Sequence, residues 1–237
     1  MDLHATSALV TGAGRGIGRV IALALAREGA QVAAVSRTAA ELDTLLGEIE
    51  AAGGRGLAFA GDLREPSVCA GAVAATVERF GGLQLLVNNA GVGVFANVAD
   101  TTDEQWAAVL ETNLSAVFRL TRAALPHLSH RGGHVFMISS LAGSNANAGM
   151  AAYCASKAAL DHFARCLMLE VRHKGIKITT IAPGSVDTAF AGAPRAADVS
   201  WMLSAEDIAQ TVVDLARMRD GAHASRVEMR PARPQKR

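Results

Sequence analysis

The sequence predicts a single α/β domain built on a doubly wound parallel sheet. Three observations lead to this fold class: half of the 237 residues are hydrophobic, short apolar runs alternate with helical segments, and a glycine-rich turn separates the first run from the first helix. A chain of this length can bury one core on both faces of a sheet. We expect one domain over residues 1–237, with about seven strands and helices on both faces.

The first element is an apolar run over residues 5–10, which is typical of a buried strand. Thr11-Gly12-Ala13-Gly14-Arg15-Gly16-Ile17-Gly18 follows, and residues 19–28 are rich in helix-forming Ala and Leu. A glycine backbone can approach a pyrophosphate closely, and the free N–H groups at a helix N-terminus stabilise its charge. The turn therefore predicts a dinucleotide site, although a purely structural turn is the alternative. The contacts expected from it are Gly12, Arg15, Gly16, Ile17 and Gly18.

The later strands come in order between helical segments. Their expected ranges are residues 31–36, 56–60, 84–88, 134–139, 176–182 and 225–230. Strands that alternate with helices favour a parallel sheet joined by right-handed crossovers.

The end of the second strand indicates which dinucleotide is preferred. An unphosphorylated ribose is usually held by Asp or Glu at this place, but the chain has Val35-Ser36-Arg37-Thr38. Arg37 can pair with a 2′-phosphate, and Arg15 can approach the same group. We expect NADP(H) to be preferred over NAD(H).

Tyr153 and Lys157 stand four residues apart in a segment, residues 151–172, whose composition favours a helix. Positions i and i+4 share one helix face, so phenol and ammonium should meet. A nearby ammonium favours the phenolate and would lower the pKa of Tyr153, as a general acid or base requires. The alternative is an exposed pair on a helix surface, but Tyr153 is the only tyrosine in the chain.

Five motifs in register resemble those of the short-chain dehydrogenases/reductases over residues 6–215. They are the glycine turn, Asn88-Asn89-Ala90-Gly91, Asn113 with Ser140, Tyr153-x-x-x-Lys157 and Pro183-Gly184. The resemblance implies a Rossmann-type fold that transfers hydride between a nicotinamide cofactor and a carbonyl or alcohol.

The resemblance also implies the catalytic roles. Tyr153 would protonate the carbonyl oxygen, and Ser140 would hydrogen-bond the same oxygen, with Ser139 as the competing candidate. Lys157 would lower the pKa of the tyrosine and hold a ribose hydroxyl. Asn113 would kink its helix and retain a water that connects Lys157 with solvent.

Further cofactor contacts follow from the same resemblance. Asp62 and Leu63 would bind adenine, with a turn-forming Asp62 as the alternative. Asn88 is expected to tie neighbouring strands through its amide. The remaining contacts would be Asn89, Ala90, Gly91, Pro183, Gly184, Val186 and Thr188, together with Tyr153 and Lys157.

Residues 189–204 are expected on the substrate side of the site, where they would form a mobile lid with few charges. With Phe95, Leu141 and Met150 as walls, a small or medium ketone, aldehyde or 3-oxoacyl group would fit. Arg195 could meet a carrier phosphate or be solvated. The C-terminus departs from that of many 3-oxoacyl reductases, and residues 231–237 are expected to be a flexible tail.

A homodimer or homotetramer is expected. The apolar face of the Tyr153 helix, with Phe163, Leu167 and Met168, could pack between subunits or inward.

Composition excludes several function classes. The net charge of +1 gives no reason to expect nucleic acid or an anionic membrane as a partner, and no apolar run approaches the ~20 residues that span a bilayer. Three cysteines without a C-x-x-C pair predict reduced thiols and a cytoplasmic protein. Gly132 and Gly133 separate His130 from His134, so no metal site is expected.

Two other functions remain open at this stage. The same residues would serve an alcohol or polyol dehydrogenase that works in the oxidative direction. A cofactor-binding regulatory protein without turnover is the alternative of another class, although the complete set of four catalytic residues disfavours it.

Overall fold

The computed structural model describes residues 1–4, 6–128, 133–188, 190 and 198–233. Within these residues the sheet has seven strands in the order β3-β2-β1-β4-β5-β6-β7, and every neighbouring pair is parallel. The strands are β1 Ser7–Thr11, β2 Gln31–Ser36, β3 Arg55–Ala60, β4 Leu85–Asn88, β5 His134–Ile138, β6 Lys177–Pro183 and β7 Arg226–Met229. The predicted fold class and strand order along the chain are confirmed.

Helices cover both faces of the sheet. The described ones are α1 Gly16–Arg27, α2 Ala39–Ala51, α3 Pro66–Phe80, α4 Asp103–Leu110, α5 Ala116–Ala124, α6 Ala151–Val171 and α7 Ala205–Arg217. One core cluster joins α1, α2 and α7 to the sheet, and a second joins α3, α5 and α6 to the opposite face. Burial on both faces explains why β1 and β5 are buried along their whole length.

Local sequence sets several helix ends. Thr102 and Gln105 form a capping box at α4, and Ser204 and Asp207 form another at α7. The helix predicted from residue 19 begins earlier, at Gly16, so the last residues of the glycine turn belong to its first turn.

A π-helical turn, Glu111–Ser115, joins α4 to α5. The extra residue in this turn directs Asn113 inward, where it is fully buried. The helix is therefore irregular at Asn113, the residue expected to kink it.

The order of the strands reverses between β1 and β4. In open α/β sheets this arrangement leaves a crevice at the carboxyl ends of the strands. The loops that follow β1, β4, β5 and β6 gather at this edge and carry the motifs found in the sequence.

Candidate active site

A cleft of about 1550 Å³ runs along the carboxyl edge of the sheet. The glycine turn and the end of β2 line one end of it, and Tyr153, Ser140 and Lys157 line the other. The volume exceeds the ~300–1,000 Å³ typical of small-molecule pockets, so a dinucleotide and a substrate can share it.

The glycine turn is packed too closely for side chains. Gly12 has φ +65°, and a Cβ there would lie 2.9 Å from the Cα of Ala90. A Cβ on Gly18 would overlap the carbonyl oxygen of Gly12. Gly12, Arg15, Gly16 and Ile17 line the cleft, whereas Gly18 is buried behind it and allows β1 and α1 to approach each other.

The N-terminus of α1 faces this cleft without a side-chain cap. Arg15, the N-cap residue, makes no capping hydrogen bond, and the first turn contains no acidic residue. The first N–H groups of a helix have no partner within the helix, and they favour an anion. The donor set therefore fits the pyrophosphate of a dinucleotide.

Thr11 organises the turn from below, and sequence reasoning did not single it out. Its hydroxyl accepts hydrogen bonds from the backbone N–H groups of Asn89 (3.0 Å) and Ala90 (3.1 Å). The side-chain amide of Asn89 donates to the carbonyl oxygens of Thr11 (2.9 Å) and Gly12 (3.3 Å). Asn89 thus braces β4 against the glycine turn, and Ala90 and Gly91 continue along the cleft wall.

Asn88 does connect neighbouring elements, as expected. Its amide nitrogen lies 3.2 Å from the hydroxyl of Thr121 on α5 and 3.4 Å from the sulfur of Met137 on β5.

The end of the cleft that the glycine turn and the end of β2 line is rich in charge. Arg15 and Arg37 are exposed there, and both line the cleft. Asp62 and Leu63 line it as well, but the carboxylate of Asp62 pairs with Arg64 at 2.6 Å. This pairing lowers the pKa of Asp62. Arg64 was missed because a single arginine after a turn is usually a solvated charge.

Tyr153 and Lys157 point into the cleft from the first two turns of α6, and both are buried. The hydroxyl of Ser140 is close enough to the phenol of Tyr153 to lower its pKa. Burial raises the pKa of Tyr153, and this effect outweighs the lowering by Ser140. The expectation that the ammonium lowers the pKa of Tyr153 is wrong, because burial raises it.

The reason lies in the direction of the lysine side chain. Lys157 Nζ donates to the carbonyl oxygen of Ile138 at 2.8 Å, and it lies 5.8 Å from the centre of the Tyr153 ring. Burial lowers the pKa of Lys157 to about 8, while the carboxylate of Asp161 acts in the opposite direction. At neutral pH the side chain is thus mainly an ammonium, with the phenol protonated beside it.

Ser140 and Ser139 have different environments. The hydroxyl of Ser140 accepts from the N–H of Ala142 at 3.1 Å, which leaves its proton free for the phenol or a substrate oxygen. The hydroxyl of Ser139 is buried and has no hydrogen-bond partner within the described part of the chain. The geometry favours Ser140 as the partner of Tyr153.

Asn113 is a hub between two elements of the site. Its Oδ1 accepts from the N–H of Val92 (2.8 Å), and its Nδ2 donates to the carbonyl oxygen of Val92 (2.9 Å) and to Ser156 Oγ (3.0 Å). Lys157 Nζ and Asn113 Oδ1 both lie beside Gly91, 3.6 and 3.4 Å from the place of a Cβ there. The side chain therefore couples the loop after β4 to the catalytic helix.

The loop after β6 crosses the middle of the cleft, and Pro183, Gly184, Val186 and Thr188 line it. The N–H of Gly184 donates to the carbonyl oxygen of Met229 at 2.8 Å, and the N–H of Asp187 donates to that of Leu203 at 2.9 Å. These bonds fix the loop against β7 and the segment before α7.

The substrate end has mostly apolar walls. Phe95, Leu141 and Met150 line it as predicted, and the ring of Phe190 lies 5.4 Å from that of Tyr153. Half of the expected lid, including Arg195, lies outside the described residues.

The chain end contributes to this wall as well. Arg230 and Pro231 line the cleft, and Pro231 packs beside Gly184. The start of the expected tail therefore belongs to the site wall, and residues 234–237 lie outside the described part.

His134, one of the two histidines weighed for metal binding, is buried at the start of β5. Its Nε2 forms a hydrogen bond with Thr179 Oγ1 at 2.8 Å. Its sequence neighbour His130 lies outside the described residues. Within the described ranges no group of three potential metal-ligating side chains occurs, and no helix is long and apolar enough to cross a membrane.

A glycine turn at a switch point, an uncapped helix N-terminus and a Tyr-Ser-Lys set in which the Tyr and the Lys are buried define the class of nicotinamide-dependent oxidoreductases. The family model described as short chain dehydrogenase matches residues 6–198. This chain belongs to that family and is an NAD(P)-dependent oxidoreductase acting on CH–OH or C=O groups.

Relatives of known name and structure agree with this assignment. The 3-oxoacyl-(acyl-carrier-protein) reductase of Vibrio cholerae is 36% identical over 192 residues, covering 79% of this chain and 76% of the relative. A metagenomic short-chain oxidoreductase solved in complex with NADP is 34% identical, with a TM-score of 0.87 and coverage of 99% and 100%. A short chain dehydrogenase from Mycobacterium paratuberculosis bound to NAD is 28% identical, with a TM-score of 0.88 and coverage of 97% of each chain.

Proposed function

We propose that the protein is an NADP(H)-dependent reductase of ketones, aldehydes or 3-oxoacyl groups, with Tyr153 as the general acid. The observation that carries this proposal is the buried phenol of Tyr153, which lies in the cleft with Ser140 and has the Lys157 ammonium 5.8 Å from its ring centre. When bound, the reduced nicotinamide supplies the hydride for such a reduction. Everything else in the reaction falls to side chains of the chain itself.

A carbonyl oxygen gains negative charge as its carbon is reduced, and it must then be stabilised and protonated. Because burial keeps the Tyr153 phenol protonated, it can give its proton to that oxygen. Ser140 can donate a hydrogen bond to the same oxygen. The ammonium of Lys157 stabilises the phenolate that remains and, through the carbonyl of Ile138, is held at a fixed position.

The proton lost by Tyr153 has to be replaced. We propose that Asn113 and Lys157 supply the route, because both polar groups lie beside Gly91 at the cleft wall. The hydrogen bonds of Asn113 to Val92 would hold the loop after β4 in place and leave room for a water beside Gly91.

The preference for NADP(H) is supported by charge. Arg15 and Arg37 are exposed at the adenosine end of the cleft, with Arg64 nearby, and guanidinium groups suit a 2′-phosphate. One solved relative binds NADP and another binds NAD, so the cofactors of relatives do not decide between them.

We also propose a homodimer or homotetramer in the cytoplasm. Phe118 on α5 is 45% exposed and meets Phe163 of α6 edge-on, which leaves an apolar face suited to a second copy. Leu167 packs inward instead, and the three cysteines are free thiols, as a reducing compartment requires. Light scattering of the purified protein measures the oligomeric state.

The decisive experiment measures NADPH and NADH oxidation with aldehydes, ketones, diketones and 3-oxoacyl thioesters. We expect NADPH-dependent turnover of at least one carbonyl class, lost in Tyr153→Phe. Turnover that survives in this variant would contradict the role of the phenol, and faster turnover with NADH would contradict the cofactor preference. Oxidation of alcohols without reduction of any carbonyl would favour a dehydrogenase.

A further inference from the structure

A carboxylate lies at the adenosine end of the cleft, although none ends β2. Glu41 is the third residue of α2, and it lines the cleft together with Ser36, Arg37 and Thr38. A Cβ built on Gly14 would overlap Glu41 Oε2 and lie 2.9 Å from Ser36 Oγ. The carboxylate is therefore packed against the glycine turn and beside the serine hydroxyl.

Helix capping does not explain this position. Thr38 and Glu41 have the spacing of a capping box, but the Thr38 side chain makes no capping hydrogen bond. The backbone N–H of Thr38, which the glutamate would accept from in such a box, donates to Ser36 Oγ at 3.3 Å. Glu41 is thus left with its carboxylate directed at the cleft.

A structural ion pair does not explain it either. The nearby guanidinium of Arg19 donates to the backbone carbonyl oxygen of Glu41 at 3.1 Å, while its other nitrogen pairs with Glu48 at 2.9 Å. Across the described ranges, the Glu41 carboxylate has no hydrogen-bond or ion-pair partner. A charged acceptor in a ligand cleft is therefore available to a ligand.

We propose that Glu41 sets the balance between the two cofactors by accepting from the ribose 2′-hydroxyl of NAD(H) and by repelling the 2′-phosphate of NADP(H). The inference rests on the proposed function, in which Arg15 and Arg37 favour the phosphate. Glu41 opposes Arg15 and Arg37 from the same part of the cleft and reduces the preference for NADP(H) over NAD(H). A carboxylate that accepts from a ribose hydroxyl is the usual means of holding the unphosphorylated cofactor, and like charges at short distance repel.

The test is the dissociation constant of NADPH and of NADH, measured by fluorescence titration of the purified protein without substrate. In Glu41→Gln we expect NADPH to bind about tenfold more tightly relative to NADH, and we expect the change to shrink as salt is added. Asp43→Asn is the matched control: it removes the same charge from an exposed position of the same helix and should leave the ratio unchanged.

The outcomes separate this inference from the cofactor proposal. An equal ratio shift in Glu41→Gln and Asp43→Asn, or no shift in either, overturns the role of Glu41. Tighter binding of NADH than NADPH by the wild-type protein contradicts the proposed preference, yet a Glu41-specific shift would still support this inference. Glu41→Ala, checked by its melting temperature, repeats the test without any side-chain amide.

Discussion

The Lys157 ammonium lies 5.8 Å from the centre of the Tyr153 ring and donates its hydrogen bond to the carbonyl oxygen of Ile138. The lysine is therefore close to the phenol but makes its hydrogen bond elsewhere, and burial rather than the ammonium sets the direction of the Tyr153 pKa shift. Its position on α6 is fixed by a backbone group of β5, so its charge remains close to the reacting end of the cleft. Two consequences for stability and catalysis follow.

The first prediction concerns Lys157→Met. Burial lowers the pKa of Lys157 from 10.5 to about 8, so below pH 8 the folded protein carries a buried charge that the unfolded chain solvates. The pKa shift means that the buried charge lowers the unfolding free energy by about 3 kcal/mol. Lys157→Met removes this penalty, but it also loses the hydrogen bond to Ile138, which is worth about 1 kcal/mol. We expect the variant to be about 2 kcal/mol more stable at pH 7 and inactive.

The pH dependence identifies the cause. Between pH 8 and 10.5 the unfolded chain holds a proton that folded Lys157 has released, so the wild type gains stability relative to the variant as pH rises. Urea unfolding at pH 7, 8.5 and 10 measures this change. A constant difference across these values would show that packing, rather than charge, is responsible.

The second prediction concerns Tyr153 and Ser140, which line the same end of the cleft. Removing the general acid in Tyr153→Phe should lower turnover by about 10²–10⁴. The double variant with Ser140→Ala should be little slower than Tyr153→Phe alone, because residues that act together are not additive. Steady-state kinetics of the four proteins test this; multiplicative losses would mean that the two hydroxyls act independently. NADPH affinity should stay within about twofold throughout.

The third prediction concerns Asn113→Ala. Asn113 is fully buried, and its loss would leave the backbone N–H and carbonyl oxygen of Val92 without their partner. We expect a loss of about 2–4 kcal/mol in unfolding free energy. Asn113→Asp keeps the acceptor for the N–H of Val92, but it places a buried carboxylate against the carbonyl oxygen of Val92, so it should lose at least as much. Denaturant unfolding of both variants compares their unfolding free energies. An alanine variant as stable as the wild type would show that the hydrogen bonds of Asn113 do not stabilise the fold.

Much of this fold could be predicted because each strand is a short apolar run buried on both faces, which leaves a clear signal without any partner being known. The four residues proposed for catalysis were named from a family resemblance. The structure places Tyr153 and Lys157 on α6, Ser140 after β5 and Asn113 in the turn between α4 and α5. The pKa of Tyr153 was not predictable in this way. Its direction depends on burial and on where Lys157 Nζ points, and both are set by tertiary packing.

The residues missed by sequence reasoning owe their roles to distant partners. Thr11 stands at the start of a glycine motif in the sequence, yet its hydroxyl accepts hydrogen bonds from N–H groups 78 and 79 residues away. Glu41 has the spacing of a helix cap, but Ser36 takes the N–H that the cap would use. Pro231 reaches the cleft only because β7 pairs with β6 in a register that places Met229 beside Pro183.

The last prediction concerns His134, far from the cleft. Burial lowers its pKa from 6.5 to about 3, with His223, Lys177 and the N-terminus adding to the effect. Above pH 6.5 the histidine is neutral in both states; as pH falls towards 3, only the unfolded chain takes up the proton, and stability is lost. We expect a slope near 1.4 kcal/mol per pH unit from this group between about pH 6 and 4.

His134→Gln removes that titration while it keeps a donor for Thr179. The variant should be less stable at pH 7.5, because it loses the stacking on Phe136, whose ring centre lies 3.9 Å away. Its stability should nevertheless decline less steeply below pH 6, so the two curves converge. Urea unfolding from pH 7.5 to 4.5, with exposed His162→Gln as the control, measures both slopes. Parallel curves for wild type and His134→Gln would show that this histidine does not govern acid unfolding.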